Sequence, residues 1–247
     1  MKHCQSLLLG CLGLGSRLSH SESLKFLESA VRLGVREFDT GSLYGNGLSE
    51  IILGDFACAH QLKLDIHTKI GLEESRRKDG SFGVSLSVLT PEKIKSDTLR
   101  AIERLRQPSI RRITLHSFCT EIPIPEQVDT LQELVQSGVI KSYGLANFTP
   151  TQLEKWIDYC NANSKLLPSD LDLHFNLLEQ RVKYEVMPLI KDNDIRIIPY
   201  RVFCRGVLSG RYDNSLTFPL DSRACSSWRV KQVITDQNIA FVGSLRE

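Results

Sequence analysis

Long apolar runs, a charge excess, paired cysteines and internal repeats are all missing from this 247-residue sequence. No apolar stretch approaches the roughly 18 residues of a membrane span, which excludes a transmembrane helix. Basic residues number 31 against 29 acidic ones, a formal charge of +2. No bulk field therefore marks a binder of nucleic acid or another polyanion. The seven cysteines (Cys4, Cys11, Cys58, Cys119, Cys160, Cys204 and Cys225) are scattered and odd in number. None forms a CxxC pair and none joins a histidine at zinc spacing, which excludes a metal cluster of that kind. They read as free thiols in a reducing, cytoplasmic compartment. Apolar content of 41% and charged content of 24% are ordinary globular values, so disorder, collagen and coiled coil drop out.

What is present is an alternation of short β-like runs with amphipathic helical runs. The start, Leu7-Leu8-Leu9-Gly10-Cys11, superficially suggests a secretory signal, but Gly10, Gly13 and Gly15 interrupt it and one firm charge precedes it. It reads better as a first strand. Ser19 with Glu22 forms a capping box before a helix whose apolar residues fall at Leu24, Leu27, Ala30, Val31 and Leu33, and Gly34 stops it. Thr90-Pro91 and Thr149-Pro150 each open a helix with proline at its first position. Another stripe, Val128, Leu131, Leu134 and Val135, ends at Gly138. Strand-like runs lie between at 64–69, 111–116, 141–147, 171–176 and 195–200. With the opening run and the one ending at Asp39, they give about seven β/α units. Such alternation predicts a parallel sheet covered by helices, as a barrel or an open doubly wound sheet. The polar stretch Glu73–Ser87, with Gly80 and Gly83, reads as a long loop.

The strand ends carry the chemistry. One run finishes at Asp39 with Tyr44 five residues on, the next at Lys69, the next at His116, and later ones at Asn147, Asn176 and Tyr200. In parallel α/β folds the carboxyl ends of the strands line the active site. Taken singly, each has a plainer reading: a strand-end aspartate as a helix cap, a tyrosine as packing, a histidine as a satisfied polar group. Together they make chemical sense. A free phenol titrates near 10, too high for easy proton exchange at neutral pH, and a nearby ammonium favours the phenolate. An aspartate holds that ammonium charged, and a histidine on the opposite wall orients a carbonyl oxygen. Asp39, Tyr44, Lys69 and His116 thus describe a proton relay aimed at a carbonyl or an alcohol.

These residues resemble the aldo-keto reductase superfamily. LGLGS near the start, FDTGSLYGNGLSEIILG (38–54), HTK (67–69), TLHSF (114–118), GLANF (144–148) and RGVLSGRY (205–212) fall in that family's order and spacing. The resemblance implies a parallel (β/α)₈ TIM-type barrel over residues 1–247, a single domain with about seven β/α units present. It implies hydride transfer between NADPH, or less often NADH, and an aldehyde, ketone or sugar carbonyl, without a metal. By the same resemblance Tyr44 is the general acid for reduction, Lys69 depresses its pKa, Asp39 bonds the lysine and His116 orients the carbonyl. Asn147 matches the asparagine that binds the nicotinamide carboxamide, Tyr200 the aromatic that stacks on the ring, and Arg205 falls among the cofactor-binding residues.

Three departures qualify the resemblance. Asp172 stands where the family usually has a glutamine contacting the carboxamide. Arg201, Val202 and Phe203 follow Tyr200 where Ser-Pro-Leu is common, and Arg201 is either a ligand for a cofactor phosphate or a solvated loop residue. The chain is also short. Its polar segment Asp213–Trp228 leads to IAFVGSLRE, which reads as the early part of a seventh helix. The last strand and the loop gripping the adenosine phosphate are thus expected to be lacking, and the unpaired sheet edge favours a homo-oligomer. The leading expectation is an NADP(H)-dependent oxidoreductase acting on a small molecule, with neither nucleic acid nor membrane as partner. The competing ones are a reductase-derived scaffold or regulatory subunit, and a cofactor-free isomerase or dehydratase.

Overall fold

A computed structural model describes residues 7–76, 82–212, 218–220 and 222–245. The chain divides into two compact units, Met1–Leu171 and Asp172–Glu247. In the first, strands β1 (Leu8–Gly10), β2 (Glu37–Asp39), β3 (Asp65–Ile70), β6 (Ile110–Leu115) and β7 (Ile140–Ala146) lie side by side in that order. Every neighbouring pair among them is parallel. Helices α1 (His20–Arg32), α2 (Leu48–Ala59), α3 (Pro91–Leu105), α4 (Ile124–Gln136) and α5 (Pro150–Ala162) connect and follow them. Strand β8 (Asp170–His174) begins in the first unit and ends in the second.

Local chemistry sets these boundaries as expected. Ser19 and Glu22 exchange both capping-box hydrogen bonds at the start of α1, and Thr149 and Gln152 do so at α5. Thr90 accepts from the Lys93 N–H ahead of Pro91 in α3. Gly34 and Gly138 stand just behind α1 and α4 at φ of 93° and 75°.

Alternation along the strands separates two faces. One is largely apolar, with Phe38 in register with Ile66, and Ile113 with both Thr68 and Tyr143. The Tyr143 hydroxyl accepts the Trp156 indole N–H at 3.2 Å and donates to the Leu166 carbonyl, so this aromatic pair is buried with its polar atoms satisfied. The other face is polar. Asp39, His67 and Arg112 share one cross-strand row, and Lys69, Thr114 and Gly144 the next.

One segment differs from the sequence reading. The stretch expected to be a loop is an antiparallel hairpin, β4 (Leu72–Arg76) with β5 (Phe82–Leu86), paired from Leu72↔Leu86 to Arg76↔Phe82. It interrupts the strict β/α alternation. Its Val84 and Leu86 are both 56% exposed, so no buried face imposed the apolar period that would have marked it as strand.

The second unit pairs the end of β8 with β9 (Arg196–Tyr200) and carries short helices α6 (Arg181–Glu185) and α7 (Met187–Ile190). A 3₁₀ segment (Cys204–Ser209) precedes α8 (Arg223–Ser226), α9 (Trp228–Lys231) and α10 (Asp236–Ser244). Cys204, Val207, Tyr212, Ala224, Val230 and Val242 form its core. The helix expected in IAFVGSLRE falls in α10; residues 213–217 and 221 of the polar segment before it lie outside the described residues. The six cysteines among the described residues are free thiols, and Cys4 lies outside them.

The packing of α2 on α3 sets where the chain leading into α2 can lie, and it depends on a missing side chain. A Cβ at Gly54 would stand 2.6 Å from the Arg104 carbonyl oxygen and 2.7 Å from Leu105 backbone atoms. Backbone cannot yield as a side-chain tip does, so Gly54→Ala is expected to destabilise the fold by about 1–3 kcal/mol, read as a lower urea midpoint than that of the parent chain.

Candidate active site

Tyr44 lies in the turn between β2 and α2, and that turn is fixed along its length. Thr40 N–H donates to the His67 carbonyl at 2.8 Å and Ser42 N–H to the Lys69 carbonyl at 3.0 Å, extending the β2–β3 ladder past the strand end. Tyr44 N–H donates to Gly41 O at 2.9 Å, and Ser49 N–H to Tyr44 O at 3.2 Å. The Ser49 hydroxyl, itself buried, bonds to the Cys11 carbonyl at 2.9 Å and to the Thr40 hydroxyl at 2.8 Å. Glu50 is fully buried, accepting from the Thr68 hydroxyl at 2.5 Å and from Arg104 Nε at 2.6 Å. Burial raises its carboxyl above the ordinary range, against the lowering pull of those two donors. Glu50 ties the first turn of α2 to the residue before Lys69.

The first unit gathers five of the nine residues singled out from sequence. The Lys69 ammonium binds the Asp39 carboxylate directly, with the lysine buried and the aspartate partly so. It also lies 5.6 Å from the centroid of the Tyr44 ring. The Tyr44 and His116 rings stand edge to face with centroids 6.1 Å apart. His116 is half-buried; desolvation, and then the Lys69 charge, lower its pKa to about 4. Its ring is therefore neutral at physiological pH, leaving an N–H to donate and no charge to repel the lysine. Asn147 follows β7 at φ 61° and donates from Nδ2 to the His116 carbonyl at 2.9 Å. Cys11 is buried close by, and desolvation pushes its thiol far up, so it is not a nucleophile.

The remaining four lie in the second unit. Asp172 is buried on β8. The Tyr200 ring stacks on His174 at 5.5 Å and 12°, and the Arg201 guanidinium sits over the Tyr200 ring at 5.4 Å. Glu179 accepts from His174 Nε2 at 2.6 Å and Asn176 Nδ2 at 2.8 Å. Arg201 and Arg205 both adopt positive φ, 54° and 57°. Desolvation, and next the neighbouring Arg201 charge, lower the Arg205 pKa.

Sequence reasoning missed the charges beneath the first group. Arg112 is fully buried, with Nη1 3.0 Å from Asp170 Oδ2 and Nη2 4.0 Å from Asp39 Oδ1. His67, also buried, faces Glu37 at 3.5 Å. The available signal was an arginine pair inside the apolar run IRRITL and an aspartate at every second place in DLDLH. A cavity of about 340 Å³ borders Ser42, Leu43, Glu73, Lys93, Asp97 and Arg100, but neither Lys69 nor His116 lines it. The ionisable groups converge instead at the strand ends, around Lys69, Asp39, Tyr44 and His116.

The sequence model of the aldo/keto reductase family matches residues 6–238, most of the chain. The chain belongs to the aldo-keto reductase family. It is similar to an uncharacterized oxidoreductase of Bacillus subtilis, at 29% identity over 81% of this chain and 61% of that protein. It is also similar to aflatoxin B1 aldehyde reductase member 2 of Rattus norvegicus, at 26% identity over 83% and 54%. The chain thus spans little more than half the length of these curated aldo-keto reductase relatives. Among solved structures, a glycerol dehydrogenase from Gluconobacter oxydans matches 96% of this chain and 72% of its own, with a TM-score of 0.81 and 23% identity. An aldo-keto reductase from Bacillus halodurans matches 92% and 71%, with a TM-score of 0.71 and 24% identity. The fold class is this family's parallel (β/α)₈ barrel, incomplete, with seven parallel strands among the described residues. No helix of those residues is long and apolar enough to cross a membrane.

The low His116 pKa has a thermodynamic consequence. An unfolded histidine binds its proton near 6.5 and the folded one near 4, so between those values the unfolded chain holds more protons. The stability is present above about 6.5 and lost as pH falls toward 4. Urea unfolding at falling pH is expected to show the parent chain losing on the order of 2–3 kcal/mol more than His116→Gln over this window.

Proposed function

We propose that this aldo-keto reductase is an NADP(H)-dependent oxidoreductase that interconverts a small aldehyde or ketone with its alcohol, with Tyr44 as general acid and base. The observation that carries the reading is the gathering of the Lys69 ammonium and a neutral His116 about the Tyr44 ring. A cation beside a phenol favours the phenolate and brings its acidity toward the working range. Asp39 holds the ammonium in place. Neutral His116 donates a hydrogen bond to the carbonyl oxygen, and Tyr44 delivers the proton to that oxygen as reduction proceeds. In alcohol oxidation Tyr44 takes the proton back.

The donor set fits a nicotinamide dinucleotide. Desolvation first, and then the Arg201 charge, lower the Arg205 pKa, and an anionic phosphate would offset that second contribution while accepting their forked donors. Asn147 would hold the carboxamide. By the family resemblance Tyr200 would stack on the nicotinamide ring, and Asp172 stands in place of the family's usual glutamine. When bound, the cofactor supplies or accepts the hydride. NADPH over NADH is the preference that the family resemblance implies. The names of the relatives, an aldehyde reductase and a glycerol dehydrogenase, agree with a small carbonyl or polyol as substrate. Free thiols throughout the described residues agree with a reducing, cytoplasmic setting.

Titration with NADPH is expected to quench tryptophan fluorescence saturably, and more tightly than NADH. Tyr44→Phe is expected to keep that binding while turnover of an aldehyde panel falls by about 10²–10⁴. Full turnover in that variant overturns the role of Tyr44. A lack of saturable binding favours a non-catalytic scaffold instead.

A further inference from the structure

The polar face of the first unit's sheet departs from the usual interior of a parallel barrel, which is filled by layers of branched apolar side chains. Here the row below the strand ends holds a guanidinium with no exposed surface, Arg112, clamped between two carboxylates from different strands. Asp170 takes one arm at 3.0 Å and is itself bonded by the Ser169 hydroxyl at 2.7 Å. The other arm points to the same Asp39 oxygen that binds Lys69, at 4.0 Å. Room for the arginine is made by Gly144, where a Cβ would lie 3.1 Å from Arg112 Cδ and 3.1 Å from the Asp170 carbonyl oxygen.

We propose that Arg112, held by Asp170, is a positioning residue for the reaction, sharing the Asp39 carboxylate with Lys69 and so setting how much of the lysine's charge reaches Tyr44. The inference rests on Tyr44 being the acid. With Asp39 serving Lys69 alone, one anion would offset one cation beside the phenol. A second buried cation on the same oxygen draws part of that negative charge away from the lysine. The pair is costly to bury, and a packed apolar pair would fill the same volume. Its retention next to Asp39 is explained by electrostatics rather than by stability. The other ionisable groups around this cluster are His67 with Glu37, His116, and Cys11 on the first strand's exit.

The test reads Tyr44 directly. Alkaline titration of tyrosinate absorbance in the full chain, less that of Tyr44→Phe, isolates this one phenol among the six tyrosines and needs no cofactor. Arg112→Met is expected to raise the Tyr44 midpoint by about one pH unit, and Arg112→Lys to restore most of the shift. The alkaline limb of carbonyl reduction, where the acid form of Tyr44 is lost, should move up by the same amount. Arg112→Met leaves Asp170 buried without its cation and is prone to unfold. The double substitution R112M/D170L removes both charges, and the midpoint is expected to rise by a smaller amount, since the lost anion partly offsets the lost cation. An unmoved midpoint in a folded variant overturns the role of Arg112, leaving it only structural. If Tyr44→Phe turns over normally, the underlying reading of Tyr44 fails instead, whatever Arg112 does.

Discussion

The contact between the Lys69 ammonium and the Asp39 carboxylate is the constraint around which the first unit is arranged. The lysine is buried and the aspartate partly so, and each offsets the cost of removing the other from water. The strands obey the same demand. Asp39 must end β2 in register with His67 on β3, and Lys69 must come two residues later on the same face. A one-residue slip would turn both side chains to the helix side, among Phe38, Ile66 and Ile113. Register here is therefore specified twice, once by the apolar face and once by the charges.

Around that pair, side chains fix the backbone that carries the phenol. Ser49 and Glu50 belong to the motif that resembles the family's signature, and Ser49 bonds to the Tyr44 backbone carbonyl. They fasten its turn to β3, to the loop after β1 and to α3. Positioning of this kind removes motion that would otherwise be lost at the moment of reaction. It is also why the segment could be recognised as a long motif rather than as a few isolated catalytic letters. The requirement extends over the whole turn and its anchors.

How legible the protein was from sequence follows from the same physics. Caps at Ser19, Thr90 and Thr149 and the helical stripes are local signals, and they located the helices well. Strand ends at Asp39, Lys69 and His116 were legible because parallel strands put their last residues on one rim. The β4–β5 hairpin was not legible, since water on both sides leaves no apolar alternation to read. Arg112 and Asp170 were missed for the opposite reason. Charged letters within a strand suggest an exposed edge, and only the fold shows that each buries the other. The second unit was the hardest part. Its helices are short, and contacts such as His174 on Tyr200, or Glu179 beneath Cys204, join residues whose sequence neighbourhoods carry no shared pattern.

Burial of the Asp39–Lys69–Arg112–Asp170 cluster has a consequence for the solution conditions the protein will tolerate. Mobile counter-ions weaken fields that run through solvent over a Debye length of about 8–10 Å, but they have little access to groups packed between strands. Arg201, by contrast, is exposed in its loop. Added salt will therefore bear mainly on surface charges such as Arg201 and much less on the charges packed between the strands.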